Sequence, residues 1–147
     1  MQVKENTNLV GKVRLVLKDA DGNVKETRVS NTVVTTGKNH IADQLAGTPA
    51  QAAMSHMAVG TGTTAVVVGN TTLETELDRN AFTSSTATAN VVTYVADWAA
   101  GDATGALTEA GIFNAASGGT MLARTTFTVI NKGASDTVTV TWTLTLG

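Results

Sequence analysis

The chain contains no cysteine and has little proline, aromatic content or charge. Its 147 residues include one proline and six aromatic side chains, and only 15% are Asp, Glu, Lys or Arg. The absence of cysteine excludes disulfides, thiolate zinc sites, iron–sulfur clusters and a cysteine nucleophile. Soluble domains average about 25% charged residues, so a surface this poor in charge indicates that neighbouring subunits cover part of it.

The balance of charge argues against a nucleic-acid partner. Ten Lys and Arg stand against twelve Asp and Glu, whereas a phosphate-binding surface needs clustered cations. The densest set of cations is interleaved with acids and comprises Lys4, Lys12, Arg14, Lys18, Lys25 and Arg28. No apolar run approaches the roughly 20 residues of a membrane span, and residues 1–11 lack a signal-peptide pattern. These features predict a soluble product made in a cytoplasm, with neither nucleic acid nor membrane as partner.

Threonine, alanine and valine dominate the rest of the composition. They number 27, 21 and 18, so three small or β-branched types fill 66 positions, a mixture that favours strands. The length suggests one domain, residues 1–147. We divide it into an N-terminal hairpin or arm, residues 1–35, and a body of helix plus β-sandwich, residues 36–147. The predicted fold is mainly β, an antiparallel sandwich of jelly-roll or immunoglobulin-like type with one short helix.

The N-terminal segment has the pattern of a hairpin. Val13, Leu15 and Leu17 alternate with charged residues, residues 19–23 supply turn chemistry, and a second run continues over residues 24–34. One face of this hairpin is polar and is therefore either exposed to solvent or in contact with a partner.

One short helix is predicted between Thr36 and Gly47. Ile41 and Leu45 lie four residues apart, Thr36 can cap the start and Gly47 can end the helix. A loop containing Pro49 follows.

Later runs predict strands, about seven in all. They cover residues 54–59, 91–98, 107–113, 120–130 and 137–146, while residues 60–64 break regular structure and residues 72–79 are predicted to form a helical turn. The last run places apolar residues on one face and threonines, among them Thr139, Thr141 and Thr143, on the other. This threonine face is either exposed or buried against another chain, because an unprotected edge of that kind invites pairing.

The two histidines do not form a convincing catalytic site. Asp43 lies three residues after His40 and could orient its ring. Ser55 adjoins His56, but neighbours on a strand point to opposite faces, so no local dyad is expected. We interpret both as ordinary surface or interface histidines.

Other candidate sites also favour structural interpretations. Residues 19–23 depart from the calcium-loop pattern and fit a tight turn, and residues 60–62 lack the lysine of a phosphate loop. Carboxylates suited by type to glycoside hydrolysis have no accompanying aromatic cluster; they are Glu74, Glu76, Asp78, Asp97, Asp102 and Glu109. The sequence predicts no catalytic residue, cofactor or metal, and hence no enzyme.

Three segments resemble a recurring set of small proteins encoded in tailed-bacteriophage genomes. They are residues 57–65 (MAVGTGTTA), 72–79 (TLETELDR) and 107–124 (LTEAGIFNAASGGTMLAR). Residues 6–38 are similar to the usual leader of the same set, so the resemblance covers most of the chain. It implies a virion structural component, either a head decoration (cement) protein or a tail-fibre-like protein, and no enzyme.

The resemblance also implies partners. These are the major capsid protein and copies of the chain itself, as homodimer or homotrimer, or alternatively tail proteins, on a particle assembled in a bacterial host. Candidate interface residues are Lys12, Arg14, Lys18, Arg28, Arg79, Arg124, Thr139, Thr141 and Thr143. Arg79 and Arg124 could pair with carboxylates of another subunit, or within the chain with Glu74, Glu76 or Glu109. A carbohydrate-binding module is a third hypothesis and would use Tyr94 or Trp98 as a platform.

Overall fold

Ten strands and one helix make up most of residues 8–47 and 50–147, the part of the chain that the computed structural model describes. The hairpin residue Lys4 and the loop residue Pro49 lie outside it. The elements are β1 Leu9–Lys18, β2 Val24–Ser30, β3 Thr32–Val33, α1 Thr35–Leu45, β4 His56–Gly60, β5 Glu76–Ala81, β6 Ser84–Thr88, β7 Val91–Trp98, β8 Gly105–Phe113, β9 Met121–Lys132 and β10 Thr137–Leu146.

The strands form two five-stranded antiparallel sheets. Sheet one has the order β2-β1-β10-β7-β6, and sheet two has the order β3-β9-β8-β4-β5. The predicted fold class is confirmed: the chain is mainly β, with two sheets in a sandwich-like arrangement, one short helix and an N-terminal hairpin. The prediction of about seven strands was low by three: β3 has only two residues, β6, with the sequence SSTAT, is exposed throughout, and β5 overlaps the residues predicted to form a helical turn. β3 and β6 lack the usual strand signal. Neither strand carries an apolar alternation.

The main core lies between the sheets and is built by alternate residues of each long strand. In β10 the buried positions are Val138, Val140, Trp142 and Leu144, as the alternation predicts. They meet residues from both sheets, including Leu15, Trp98, Leu107, Ile112 and Ile130. Burying one such side chain contributes about 1.5–3 kcal/mol, so this two-sided alternation supplies the main driving force for folding.

The position of β10 corrects one expectation. Its backbone is not an unprotected edge, because β1 pairs with it on one side over residues Leu9–Lys18 and β7 pairs with it on the other. The edges are β2 and β6 in sheet one and β3 and β5 in sheet two. The threonine face therefore lies at the centre of the sheet. Its side chains are accessible to a partner, but the backbone groups of β10 are already paired.

A polar contact fixes the point where the chain leaves sheet one after β2. The Asn31 side chain occupies the space over Gly11, where a Cβ would lie 1.3 Å from Asn31 Oδ1. The same oxygen accepts a hydrogen bond from Trp142 Nε1 at 3.1 Å. Since the Trp142 ring is fully buried, Asn31 satisfies a donor that would otherwise lack a partner.

The helix forms where it was predicted but begins differently. Val34 is the N-cap and provides no side-chain cap. Thr36 was expected to cap the helix; instead its hydroxyl donates to the Met121 carbonyl at 2.9 Å, because the first turn packs directly on β9. Gly37 permits this approach, since a Cβ there would lie 2.0 Å from the Leu122 carbonyl oxygen. Gly47, with φ of 77°, follows the last turn as predicted.

We expect Asn31→Ala to lower the free energy of unfolding by about 1–3 kcal/mol, because it leaves the buried Trp142 N–H without an acceptor. Chemical denaturation followed by tryptophan fluorescence measures this change. Asn131→Ala, at an exposed position of β9, is the matched control and should change stability by less than about 0.5 kcal/mol. Equal losses for the two variants would contradict the assignment.

Candidate functional site

The outer face of sheet one brings together seven of the nine candidate interface residues. Side chains alternate between the two faces of a strand, and the strand register places these seven on the side away from the core. They are Lys12, Arg14, Lys18, Arg28, Thr139, Thr141 and Thr143. The sequence pattern indicated the threonines, but the strand pairing was needed to set them beside the cations.

The register also adds residues that the sequence did not single out. Glu26 of β2 and Asp97 of β7 lie on this face, together with Val10, Val16, Val91 and Val95. Four cations thus share the surface with two carboxylates, although the whole chain has a net charge of −2. The outer face of sheet one is therefore cationic at the β1–β2 side and uncharged, with hydroxyl and methyl groups, across β10.

Two arginines share one carboxylate on this face. Arg14 Nε lies 2.9 Å from Glu26 Oε1, and Arg28 Nε lies 2.5 Å from the same oxygen. The hydrogen bond from Arg14, with a smaller contribution from Arg28, holds the pKa of the Glu26 carboxyl below its usual value. Arg28 is 74% exposed, so its guanidinium keeps most of its donors free for a partner's carboxylate.

The threonine hydroxyls are partly engaged within the sheet. Thr139 Oγ1 donates to Asp97 Oδ1 at 2.5 Å, and Thr143 Oγ1 lies 3.4 Å from the Lys12 carbonyl. A shallow groove of about 480 Å³ lies over β1 and β2, and Thr141 and Thr143 of β10 line it together with Arg14 and Arg28. The groove therefore offers guanidinium donors and hydroxyl groups to which a carboxylate could bind.

The outer face of sheet two is closed by the chain itself. Residues 61–75 cross it, and a second apolar cluster lies beneath them, formed by Val34, Ala58, Leu73, Phe113 and Met121. Leu73 is the residue that the crossing segment contributes to this cluster. The two sheets therefore differ: one outer face is covered by its own chain, and the other is open.

A buried ion pair holds the covering segment in place. Arg124 donates to Glu109 Oε2 from Nη2 at 2.9 Å and from Nε at 3.1 Å, and both side chains are almost completely buried. The remaining Arg124 donors reach Asn70 Oδ1 at 3.1 Å and the Thr64 carbonyl at 3.0 Å. Arg124 thus pairs within the chain, which is one of the two alternatives that the sequence left open for this residue.

Three backbone N–H groups of the same segment donate to the Glu109 carboxylate. They belong to Gly62, Glu74 and Thr75, at 3.0, 3.0 and 2.8 Å. These bonds fix residues 74–75 in a bend, and β5 follows at Glu76, so the prediction of a helical turn over residues 72–79 was wrong. Leu73 and Leu77 lie four residues apart, which is a helical spacing. The prediction failed because the Thr75 N–H donates to Glu109, which lies 34 residues further along the chain.

Glycine makes this close approach possible. A Cβ at Gly62 would lie 2.5 Å from Glu109 Oε1, and one at Gly60 would lie 2.3 Å from the Thr75 carbonyl oxygen. The glycine run at residues 60–62, which the sequence marked merely as a loop, therefore serves to admit the Glu109 carboxylate.

Arg79 also forms its contacts within the chain. Its Nη2 lies 2.6 Å from Glu76 Oε2, and Nη1 donates to the carbonyls of Ala115 and Gly118 at 3.0 and 2.9 Å. The guanidinium carbon lies 3.7 Å from the centre of the Phe113 ring. Arg79 thereby anchors the turn after β8, and its guanidinium donates to groups of its own chain.

The histidines depart from expectation in two ways. His40 lies on the buried side of α1 and is not a surface residue. The Asp43 carboxylate accepts from the backbone N–H groups of Ala50 and Gln51 instead of orienting the His40 ring. Ser55 Oγ lies 2.7 Å from His56 Nδ1. The two were expected to diverge as strand neighbours, but β4 begins at His56, so Ser55 is free to turn towards the ring.

The remaining candidates have structural roles. Asp19 Oδ1 accepts from the N–H groups of Asp21 and Asn23 at 3.0 and 2.8 Å, which closes the β1–β2 turn as predicted. Trp98 lies in the core and Tyr94 stacks on Phe82 with ring centres 4.6 Å apart. Among residues 8–47 and 50–147, no group of three or more His, Cys, Asp or Glu side chains could hold a metal ion.

Comparison with known proteins gives no family for this chain. No family model matches it, and neither a curated protein nor a solved structure does so. Within the described residues, the helix falls short of the length and apolar character needed to cross a membrane.

We expect Arg124→Ala to lower the free energy of unfolding by about 3–5 kcal/mol, because it leaves the Glu109 carboxylate buried without its cation. Glu109→Gln, which keeps the volume and removes the charge, should also destabilise strongly. Arg28→Ala removes an exposed arginine and is the matched control, with a change below about 1 kcal/mol. Urea unfolding measures all three, and a loss below about 1 kcal/mol for Arg124→Ala would contradict the role of the pair.

The Glu26 carboxyl should titrate below the value of about 4.3 that is typical of glutamate. A lowered folded-state pKa stabilises the fold above the unfolded value, and this contribution is lost as the pH falls through the folded value. Carboxyl NMR signals recorded against pH measure the midpoint. Arg14→Ala should raise it towards 4.3, whereas Lys18→Ala should leave it in place; an unchanged midpoint in Arg14→Ala would refute the assigned cause.

Proposed function

We propose that this chain is a structural protein of a tailed-bacteriophage virion, and specifically a capsid decoration (cement) protein that binds the outside of the head and stabilises capsomer junctions. Its partners are the major capsid protein and further copies of itself. The role is one of binding and not of catalysis.

The observation that carries the proposal is the contrast between the two outer faces. Residues 61–75 cover sheet two, held by Glu109 and Arg124. Sheet one instead presents an open surface in which threonines alternate along a central strand beside four cations. The part of this face across β10 carries no charge and therefore costs less to desolvate than a charged surface would, and the cations on β1 and β2 can orient the face on a partner that carries carboxylates.

The sequence resemblance in residues 57–65, 72–79 and 107–124 supports the same role. These segments coincide with structural features: the glycine run that admits Glu109, the end of the crossing segment with Leu73 and the start of β5 with Arg79, and the β8–β9 pair with Glu109 and Arg124. They maintain a rigid β body, which is what a protein held on a particle requires. The aromatic residue Trp98 is buried, which weighs against a carbohydrate platform there.

The proposal is tested by adding the purified chain to separated heads and tails of the phage that encodes it and measuring what sediments with each. We expect binding to heads. A double variant, Lys12→Glu with Arg28→Glu, should weaken binding by about tenfold, since two exposed ion pairs of up to about 1 kcal/mol each are lost. Lys38→Glu, an exposed reversal on α1, is the matched control and should bind as the parent chain does.

Two results would overturn the proposal. Binding to tails alone would assign the chain to the baseplate or a fibre. Binding to neither fraction would remove it from the virion.

A further inference from the structure

The outer edge of β2 is an open strand edge. β2 is the last strand of sheet one on the side of the hairpin, and no other described strand pairs along its far side. Edge strands expose unpaired N–H and C=O groups and are templates for pairing with another chain.

The hydrogen bonds around the hairpin show which backbone groups are free. Asp19 N–H donates to the Asn23 carbonyl at 3.0 Å, and Asn31 N–H donates to the Gly11 carbonyl at 3.3 Å. Antiparallel ladders alternate between bonded and non-bonded pairs, so the odd-numbered residues of β2 bond to β1. The Ser30 carbonyl confirms this direction, because it faces away from β1 and accepts from Thr125 Oγ1 at 2.8 Å. Val24, Glu26 and Arg28 therefore direct their backbone groups to the open edge.

We propose that this edge binds the β2 edge of a second copy of the chain, forming a two-fold symmetric dimer whose axis passes beside Thr27. In this register Glu26 lies opposite Arg28 of the second copy, and Arg28 lies opposite its Glu26. Four backbone hydrogen bonds form between these two pairs of residues. Two threonines face each other at the axis, and the two ion pairs lie on the outer face.

Charge complementarity selects this register. Only even-numbered residues have free backbone groups, so the register changes in steps of two. One step in one direction places Glu26 opposite Glu26 of the second copy, and one step in the other places Arg28 opposite Arg28. Like charges directly opposite each other destabilise a strand pair. The proposed register is the one of the three in which both charged residues meet an opposite charge.

The dimer would join sheet one of each copy into a single sheet of ten strands. Because the axis is perpendicular to the sheet, the outer faces of both copies lie on the same side and form one continuous surface. This goes beyond the proposed function and does not depend on it, since the dimer is a property of the isolated chain. Were both proposals true, two linked attachment faces would bind a shell more tightly than one.

Sedimentation velocity of the full chain between about 1 and 100 µM tests the inference. We expect a concentration-dependent dimer. Glu26→Arg and Arg28→Glu should each weaken it about tenfold or more, because the two-fold axis repeats every change. The double variant, with both substitutions, exchanges the charges and should restore the dimer. Lys18→Glu, a reversal on the same face but on β1, should leave the dimer intact.

A second measurement uses the absence of cysteine in the chain. Facing residues of a non-bonded antiparallel pair have Cα atoms about 4.5 Å apart, within the range for a disulfide. Thr27→Cys should therefore give a covalent dimer under mild oxidation, and Thr86→Cys, on the opposite edge strand β6, should give far less. A chain that stays monomeric at 100 µM, or a dimer indifferent to both charge variants and without the Thr27→Cys crosslink, would overturn the inference.

Discussion

The Glu109–Arg124 pair is the interaction on which the arrangement of this molecule depends. A carboxylate and a guanidinium removed from water are costly unless their remaining groups are satisfied. Here the chain satisfies them with three N–H groups, a carbonyl and an amide, all from residues 61–75. The same bonds that compensate the buried charges therefore fix the segment on sheet two. Leu73 then completes a second apolar cluster that sheet two could not form alone.

This constraint explains why the two outer faces of the sandwich differ. Sheet two uses its cations internally: Arg124 is buried with Glu109, and Arg79 binds Glu76 and two turn carbonyls. Sheet one holds its cations at the surface, with Arg14 and Arg28 sharing one carboxylate. The open face is thus the one whose charged groups still have capacity for a partner, which is the basis for proposing it as the attachment surface.

The sequence predicts those features whose cause lies in neighbouring residues. The alternation in β10, the turn at Asp19 and the helix ended by Gly47 all depend on local spacing, and the structure confirms them. The segment before β5 was assigned wrongly because its hydrogen-bond acceptor, Glu109, is 34 residues distant from Thr75. The central position of β10 was missed for the same reason, because the sequence of β10 does not show that β1 and β7 are its neighbours. The sequence identified the cations and threonines of the candidate surface, but only the strand register shows that they lie side by side on one face.

We propose that the outer face of sheet one attaches this chain to a virion. Imaging of the intact particle at a resolution that shows strands would reveal which face contacts the shell. We expect the chain on the outside of the head, at junctions between capsomers, with the face that carries Arg28 and Thr141 against the shell. A particle in which that face points to solvent while the side covered by residues 61–75 contacts the shell would contradict it.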